Sequence, residues 1–560
     1  MFSFRFFIFA VLALVAFFVG TQFEFKGTSP GDVPEVPIYS SGPQDAAYYD
    51  HAYDSALSWE HLEATSAVSP HHLLVDWKIA SLFKALGNDQ TPTVVLISPN
   101  HFSAGQSDAQ ISLATWNTPY GKLASDRDLI EKFVSQVPFL KNEEDTFLKE
   151  HGIFNLTPFV KRSFPNAKVI SLALKESLSL AEAQTLGTAI AKIAPQAMVI
   201  ASVDMSHYLP ETVALYHDAV TQHALAAGNC VGKSCGLTLE MDCNSCLNVL
   251  FALNKARGSQ QWTKIDRDSS MSLIPATPWH ENTSHIYGAF TQGQPDATPF
   301  AALHFVGDIM LDRGVRKLID AAGDVDYPWK QIGRYLSGSH LVIGNLEGTV
   351  NKQPSTYTYD PPFRFVFDPT FVEAMHKYID LVSLANNHSS DVGSAGELET
   401  NAWLNKMNIP WFGSYRHPSP RYDFEIQDQL FTLLGYHAFQ PAEDELVQEI
   451  KTAKADGRFV IVMPHWGTEY RTEPDTSQTR LAQLMVDAGA DLIIGGHPHV
   501  PQALQYVKGV PVVYSLGNFV FDQHMSETWT AQTIGVIIAT NKIDIYSLPV
   551  FTKDGQPTPL

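Results

Sequence analysis

The chain has 560 residues and a formal net charge of −21, with 45% hydrophobic and 11% aromatic residues. This composition excludes a disordered chain, because it supplies enough apolar material for sizeable cores, and the length predicts at least two domains. The negative charge argues against nucleic acid as a partner, since proteins that bind a phosphate backbone need a basic surface.

The chain begins with an uncharged apolar segment. Residues 6–20 read FFIFAVLALVAFFVG, with Arg5 before them and polar residues after them. With its apolar flanks this segment reaches a plausible membrane span, and no clean small-x-small cleavage site follows, which favours an uncleaved signal anchor over residues 1–27. Residues 28–45 are rich in Pro, Gly and Ser and are predicted to be a tether. We therefore expect a single-pass protein of the bacterial cell membrane with extracytoplasmic domains.

Two series of apolar strands follow, one on each side of a polar, Pro-containing break at residues 291–299. Continuous apolar strands that alternate with helices are typical of covered, mostly parallel sheets, so the predicted fold class is α/β. We expect one domain over residues 46–290, the break as a linker, and a second domain over residues 300–560.

In the first half, histidines and acidic residues follow the predicted strands. The segments are PHH (70–72), PNH (99–101), EHG (150–152) and SVDMSH (202–207), with TPYG (118–121) between the second and the third. In this order they resemble the Memo family, also called protein B of the AmmeMemoRadiSam system, which shares the fold of class III (LigB-type) extradiol dioxygenases.

That resemblance implies a metal site in a LigB/Memo-like α/β domain. The metal-binding triad would be His71, His101 and Cys243, and the same pocket would be lined by His151, Asp204 and His207. Two histidines and one further ligand leave open coordination positions, which suit the redox chemistry of iron or copper.

All four cysteines lie within residues 230–246, in the spacing C-x4-C-x7-C-x2-C. Export favours at least one local disulfide, and a four-thiolate zinc site is the alternative. A disulfide at Cys243 would remove its thiolate, and the two histidines would then need Asp242 or Glu150 as a further ligand. A remnant domain that keeps the fold and serves only as a binding module is the other interpretation of this half.

In the second half, nearly every apolar strand ends in a residue that can bind a metal or move a proton. Sites of open α/β sheets form at the carboxyl ends of strands, so these side chains are expected to meet. They are Asp308, Glu347, Asn387, His388, His465, His497 and His499. Taken singly, each can be a turn or a helix cap, but five strands that deliver such residues together predict a site. The mixed oxygen and nitrogen ligands suit Mn, Fe or Zn.

Six motifs in this half resemble CapA-type proteins, the poly-γ-glutamate capsule-synthesis branch of the calcineurin-like metallophosphoesterase superfamily. They are GDIMLDRG (307–314), GNLEGTV (344–350), ANNHSSDVG (385–393), PHWGTEY (464–470), GGHPHVPQ (495–502) and YSLGNFVFDQ (514–523). The resemblance implies an αββα sandwich, two sheets flanked by helices, with a metal centre at one edge.

The resemblance also implies roles. The metal ligands would be Asp308, Glu347, Asn387, His465, His497 and His499. His388 and Asp308 would be catalytic, with His388 protonating the leaving group, and Arg313, Glu469 and Arg471 are candidates for substrate contact. Ile309 and Met310 stand where the wider superfamily completes an Asp-x-His motif, so one metal ion and two are both open.

The expected function is biosynthesis of a capsule or cell-envelope polymer similar to poly-γ-glutamate. The C-terminal domain would be a metal-dependent hydrolase or transferase in which a metal-activated water attacks a phosphoester or amide. Expected partners are an anionic polymer or phosphoester substrate, the membrane through the anchor, and other capsule-synthesis membrane proteins. The alternatives are a non-catalytic polymer-binding or export scaffold with structural metals, and a Memo-like redox metal protein.

Overall fold

The N-terminal half is built around one mixed sheet that is buried on both faces. A computed structural model describes residues 37–352, 363–540 and 542–560, so the predicted anchor over residues 1–27 lies outside it. Within the described part of the chain, no helix is both long enough and apolar enough to cross a bilayer. Ile38–Ser40, inside the predicted tether, is a strand that pairs with the first domain.

The elements of this half alternate as the sequence predicts. The strands are β1 (Ile38–Ser40), β2 (Ala64–Ser69), β3 (Thr93–Pro99), β4 (Ala109–Ser112), β5 (Thr115–Thr118), β6 (Gly121–Leu123), β7 (Leu140–Asn142), β8 (Lys168–Leu174), β9 (Met198–Ser202), β10 (Gln261–Ser269) and β11 (Ser284–Thr291). The helices are α1 (Ala46–Asp54), α2 (Asp76–Leu86), α3 (Arg127–Gln136), α4 (His151–Phe154), α5 (Thr157–Ser163), α6 (Leu180–Ile193), α7 (Glu211–Ala227), α8 (Asn244–Arg257) and α9 (Ser270–Leu273).

The main sheet has the order β10-β11-β2-β9-β3-β8-β4-β7, and its central strands β2, β9, β3 and β8 are parallel. Every residue of β3 is buried. Because side chains alternate along a strand, Val95 and Ile97 enter one core with α6 and α8, whereas Val94 and Leu96 enter a second core with α2 and α5. This two-sided burial explains why the strand is a continuous apolar run.

The C-terminal half consists of two packed sheets between helices. Its strands are β12 (Phe300–Ile309), β13 (Leu341–Leu346), β14 (Thr349–Val350), β15 (Val366–Phe367), β16 (Leu381–Ser383), β17 (Trp411–Phe412), β18 (Tyr422–Ile426), β19 (Gln429–His437), β20 (Phe459–His465), β21 (Leu492–Ile494), β22 (Gln502–Val507), β23 (Val510–Ser515), β24 (Asn518–Val520), β25 (Thr530–Ala539), β26 (Lys542–Lys553) and β27 (Gln556–Pro559). Its helices are α10 (Arg313–Ala322), α11 (Gly333–Leu336), α12 (Pro369–Met375), α13 (Gly393–Met407), α14 (Glu443–Ala455) and α15 (Thr476–Ala488).

One sheet has the order β17-β16-β13-β12-β25-β26-β27, with β24 also paired to β12, and the other has the order β18-β19-β20-β21-β23-β22. Leu303 of β12 and Ile461 of β20 belong to the same buried cluster, so the two sheets face each other. On the outer face of the second sheet, Val462 packs with Met485 of α15. The mixed α/β architecture with two domains is therefore as predicted, and the predicted anchor helix lies outside the described residues.

The two halves share one buried hydrophobic cluster. Tyr216 of α7 is fully buried, and its hydroxyl lies 2.7 Å from the Ser339 hydroxyl of the second half. Its ring fills the space above Gly535, where an added Cβ would lie 2.7 Å from the ring. His217 occupies the same kind of space at Gly338. Because these two positions are glycine, side chains of α7 pack directly against the backbone of the second domain.

Candidate functional site

The predicted residues of the second half meet where the two sheets present the ends of their strands. Asp308 lies in β12 opposite Asn345 of β13, and His465 ends β20. His497 follows β21, and its backbone N–H donates to the Asp308 carboxylate at 3.3 Å. A Cβ at Gly496 would lie only 3.0 Å from Asp308 Oδ1, so a bare backbone at this position leaves room for the carboxylate.

A compact donor set forms the middle of this centre. Possible ligand atoms of Asp308, Glu347 and His499 lie within 4.8 Å of one another, and those of Glu469, His497 and His499 form a second such set. His499 joins the two sets, with Nε2 3.9 Å from Glu347 Oε1 and Nδ1 3.5 Å from Asp308 Oδ2. Carboxylate oxygens and imidazole nitrogens are suitable ligands for a divalent transition metal.

Burial and neighbouring carboxylates shift the pKa values of these donor residues. Burial raises the pKa of Glu347 well above its usual range, and the neighbouring Asp308 carboxylate adds to that shift. Burial by itself would lower the pKa of His499, but the Glu347 and Asp308 carboxylates raise it to about 9. Burial lowers the pKa of His497 to about 4. Acidic and neutral donors are therefore held together in a space largely closed to water.

The donor atoms also show where a cation fits. Both carboxylate oxygens of Glu347 and the Nδ1 of His497 are buried and have no hydrogen-bond partner among the described residues. A buried carboxylate without a partner is costly, and a bound metal removes that cost. The residues present therefore fit the predicted metal centre.

Asn387 and His465 lie beside this set and contact each other. Asn387 Oδ1 is 2.8 Å from His465 Nε2, and His465 has a pKa well below its usual range because it is buried. Asn345, which the sequence analysis did not single out, donates to Asp308 Oδ1 at 2.8 Å and lies 3.3 Å from His465 Nδ1. Asn345 belongs to the same motif as Glu347, GNLEGTV, and lies at the carboxyl end of β13, so its sequence position already pointed to the site.

His388 lies beside the donor set and has three contacts around its ring. Its Nδ1 lies 2.9 Å from Asp391 Oδ2, its Nε2 lies 3.9 Å from Glu347 Oε1, and Phe365 stacks on its ring with centroids 4.0 Å apart. Asp391 is a second residue that the sequence analysis missed, although it stands three positions after His388 in the quoted motif. This arrangement leaves Nε2 as the nitrogen available to a bound substrate.

The three residues predicted to contact substrate differ in position. Arg313 is buried and forms an ion pair with Asp522. Glu469 is exposed and belongs to the second donor set. Arg471 is exposed on the same loop, and its backbone carbonyl accepts from Gln502. Of the three, Glu469 is the residue that itself belongs to a possible donor set.

A second donor cluster lies at the strand ends of the first half. Donor atoms of His71, His101 and His151 lie within 4.8 Å of one another, as do those of His71, Asp204 and Asp242. The His101 and His151 rings stack at 4.0 Å, and the His71 and His101 centroids are 5.0 Å apart. His71 is shared by both sets and so occupies their middle.

Buried carboxylates orient this cluster. Glu150 lies 2.6 Å from His101 Nδ1, which turns Nε2 of that ring toward Asp242 Oδ2 at 3.7 Å. Burial lowers the pKa of His71 to about 3 and raises that of Asp242 to about 7. For His101 burial opposes the shift, but hydrogen bonds to Asp242 and Glu150 raise its pKa to about 10.

The structure corrects the expectation for Cys243. This residue forms a disulfide with Cys246, and Cys230 forms one with Cys235, so the cysteine sulfurs are bonded to each other and not to a shared metal. The Cys243 sulfur therefore carries no thiolate that could bind a metal. Asp242, the preceding residue, forms a possible donor set with His71 and Asp204, and Glu150 lies against His101, so both alternative ligands of the sequence analysis lie beside the histidines.

His207 lies at the rim of the N-terminal cluster. Burial lowers its pKa to about 4, and the Asp204 carboxylate opposes that shift. Arg334 of the second domain donates to the His207 carbonyl at 3.5 Å and lies over the Tyr208 ring, 5.5 Å from its centroid. The second domain therefore contributes to the rim of this pocket.

Comparisons with known families agree with both resemblances. The family described as bacterial capsule synthesis protein PGA_cap matches residues 302–523, and the family described as Memo-like protein matches residues 39–244. Each family covers one of the two donor clusters. The predicted combination of a Memo-like and a CapA-type region in one chain is confirmed.

Individual relatives divide in the same way. The capsule biosynthesis protein CapA of Bacillus anthracis is 31% identical over 281 residues, which are 46% of this chain and 68% of that protein. The PGA biosynthesis protein CapA of Bacillus subtilis (strain 168) is 28% identical over 277 residues, 46% of this chain and 73% of that protein. A MEMO1 family protein of Pyrobaculum aerophilum is 31% identical over 163 residues, 28% of this chain and 58% of that protein.

Proposed function

We propose, because the chain belongs to the CapA family of bacterial capsule-synthesis proteins and carries a Memo-like domain before that region, that its C-terminal domain is a metal-dependent hydrolase or transferase of a cell-envelope polymer. The bond that it cleaves or transfers is a phosphoester or an amide. The observation that carries this proposal is Glu347, a fully buried carboxylate that lies beside Asp308 and His499 and whose oxygens have no hydrogen-bond partner in the part of the chain that the structure describes.

The residues of the centre have distinct tasks. Metal would be held by Asp308, Glu347, His497 and His499, and when bound it supplies a Lewis acid that makes a water more acidic. Asn345 holds the orientation of Asp308 through its hydrogen bond at 2.8 Å. His388 would give a proton from Nε2 to the leaving group, and Asp391, 2.9 Å from Nδ1, holds the ring in that orientation.

Replacing His388 with alanine tests the acid role. Turnover of an alkyl phosphate is expected to fall about 10²–10⁴-fold, the usual contribution of a positioned acid. Turnover of p-nitrophenyl phosphate is expected to fall less, because nitrophenolate leaves without a proton. Metal content measured by mass spectrometry is expected to stay unchanged. The control is His61→Ala, an exposed histidine of the N-terminal domain that pairs with Glu63.

Equal losses on the two substrates would contradict the acid role. If the metal-loaded chain cleaves no phosphoester and no γ-glutamyl amide, the enzyme proposal is wrong. The scaffold that binds polymer and uses metal to hold its loops then explains the centre better.

We also propose an extracytoplasmic location for the two domains. The disulfides Cys230–Cys235 and Cys243–Cys246 support it, because such bonds persist in oxidising compartments. The predicted anchor over residues 1–27 would tether the domains to the membrane, where other capsule-synthesis membrane proteins are the proposed partners. Protease added to intact spheroplasts should degrade both domains, and full protection would contradict this location.

A second proposed activity concerns the N-terminal cluster, which we infer binds iron or copper for redox chemistry. His71, His101, His151, Asp204 and Asp242 support it, since their donor atoms lie within ligand reach. Replacing Asp242 with asparagine is expected to lower the iron or copper content of the full chain at least tenfold, because one anionic donor is lost. Asp266→Asn, a more exposed carboxylate paired with Lys78, is the control.

Metal analysis of both variants under oxidising and reducing conditions measures this effect. Wild-type protein without iron or copper in either condition would exclude the redox proposal. The Memo-like domain would then be the remnant binding module.

A further inference from the structure

A series of hydrogen bonds runs from His499 of the C-terminal centre to an exposed tyrosine. His499 Nδ1 lies 2.9 Å from Asn518 Oδ1, and Asn518 Nδ2 donates to Gln523 Oε1 at 2.9 Å. Gln523 Nε2 in turn donates to the hydroxyl oxygen of Tyr470 at 3.2 Å. Tyr470 ends the motif PHWGTEY, and the two amide residues belong to YSLGNFVFDQ, so the series joins two motifs of this half.

The direction of each bond follows from the end at His499. The Asp308 carboxylate also lies against His499 Nδ1, at 3.5 Å. An ionised carboxylate only accepts, so Nδ1 carries a hydrogen and Asn518 turns its carbonyl oxygen toward it. The amino group of Asn518 then requires the carbonyl oxygen of Gln523, which leaves the amino group of Gln523 for Tyr470. The Tyr470 hydroxyl therefore accepts from Gln523 and directs its own hydrogen to another acceptor.

The backbone of Tyr470 has a conformation that a bulky residue rarely adopts. Its φ is 64°, in the left-handed region that favours glycine, and its N–H donates to the Pro498 carbonyl at 2.8 Å. His497 and His499, on either side of that proline, have φ values of 96° and 59°. Such conformations cost free energy and cluster at functional sites. Their clustering here indicates that the ring of Tyr470 is placed for the chemistry of the centre.

The hydroxyl of Tyr470 lies beside the second donor set. Tyr470 is 42% exposed, and its ring lies 6.2 Å from the ring of His499. Burial and the neighbouring Glu469 carboxylate raise the pKa of Tyr470 to about 12. Glu469 belongs to the donor set with His497 and His499. The hydroxyl and the donor atoms therefore share Glu469 as a neighbour, so a substrate oxygen at this set lies next to a hydrogen-bond donor.

We propose that Tyr470 is a catalytic hydrogen-bond donor of the C-terminal centre and that Gln523 is the positioning residue that directs its hydrogen to the substrate. The acceptor is the phosphoryl or carbonyl oxygen that gains negative charge when the bond is attacked. A fixed donor at that oxygen stabilises the transition state more than the bound substrate. The hydroxyl keeps its hydrogen throughout, so His388 remains the proposed acid. This inference rests on the proposed function, because it adds residues to the same reaction.

Replacing Tyr470 with phenylalanine removes the hydroxyl and keeps the ring. The kcat for the substrate that wild type cleaves, p-nitrophenyl phosphate or a γ-glutamyl anilide, is expected to fall about 10–100-fold while KM changes less than about twofold, because the hydrogen bond strengthens in the transition state. Metal content measured by mass spectrometry is expected to stay as in wild type. Tyr506→Phe, an exposed ring on β22, is the control and should behave as wild type.

Replacing Gln523 with glutamate tests the direction of that hydrogen. A carboxylate still accepts from Asn518 Nδ2 but cannot donate to Tyr470, so the hydroxyl turns its hydrogen toward the carboxylate. We expect Gln523→Glu to lower kcat as much as Tyr470→Phe does, and the double variant to lower it no further, because both changes remove the same contact. Gln505→Glu, the same change of charge at an exposed position of β22, should leave kcat unchanged.

Several outcomes would overturn the inference while the proposed function stands. Turnover of Tyr470→Phe close to that of wild type would show that the hydroxyl does not act on the substrate. Additive losses in the double variant would show that the introduced charge acts by itself. Loss of metal from Tyr470→Phe would show that the hydroxyl supports Glu469 as a ligand instead. A metal-loaded wild-type chain that cleaves neither substrate would contradict the proposed function, and this inference with it.

Discussion

Replacing Glu347 with glutamine is expected to abolish metal-dependent activity without destabilising the metal-free protein. Both carboxylate oxygens of Glu347 are buried and lack hydrogen-bond partners among the described residues, so glutamine removes no hydrogen bond from the metal-free fold. Loss of one anionic ligand should lower turnover more than about 100-fold, since even changes around a metal's ligands cost roughly 10–100-fold. The metal-dependent part of the stability, about 2.7 kcal/mol at a metal concentration of 100 Kd, should disappear as well.

Two measurements check this result together. Thermal unfolding with and without added Mn²⁺ or Zn²⁺ gives the metal-dependent stability, and p-nitrophenyl phosphate hydrolysis gives the turnover. Glu425→Gln on β18 is the control, because that side chain is exposed and far along the chain from the centre. A marked loss of stability in the metal-free Glu347 variant would show that the carboxylate serves the fold and not a metal.

Replacing Tyr216 with alanine is expected to destabilise both domains at once. The ring is fully buried between α7 and Gly535, so its removal leaves a cavity at the domain interface. Loss of a buried aromatic ring costs about 3–5 kcal/mol in free energy of unfolding. Tyr216→Phe, which removes only the hydroxyl that meets Ser339, is expected to cost about 1 kcal/mol.

Calorimetric unfolding of the full chain measures this effect. We expect one transition for wild type, shifted to lower temperature in the alanine variant. Leu215→Ala is the matched control, because Leu215 is the preceding residue of the same helix, is 42% exposed, and should change stability by less than about 0.5 kcal/mol. Two separate transitions, only one of them shifted, would show that the domains are stabilised independently.

The fold was largely predictable because a strand that is buried on both faces has an uninterrupted apolar sequence. Thr93–Pro99 and Phe459–His465 are apolar runs, and both proved to be central strands covered on each side. The contact between the two domains was not predictable. Gly535 and Gly338 have no side chains from which a packing partner could be inferred. Tyr216 and His217, which fill the space beside them, lie more than a hundred positions earlier in the chain.

The candidate site was predictable in its members but not in its pairings. Five strands that end in Asp, Glu, Asn or His identify a cluster, since parallel strands bring their carboxyl ends together. Their order in space depends on how two sheets pack, which decides that Asn387 contacts His465 and that His499 stands between Asp308 and Glu347. The position of His388 depends on Asp391 and Phe365, which only the fold brings beside its ring.

The sequence by itself determined the fold class, the two families and most of the ligand candidates, because each depends on local patterns of polarity and on short motifs. Only the tertiary structure decided which donors are buried without a hydrogen-bond partner among the described residues, and that Cys243 is bonded to Cys246. These properties depend on which side chains become neighbours and which lose contact with water. Both are outcomes of packing between elements that lie far apart in the chain.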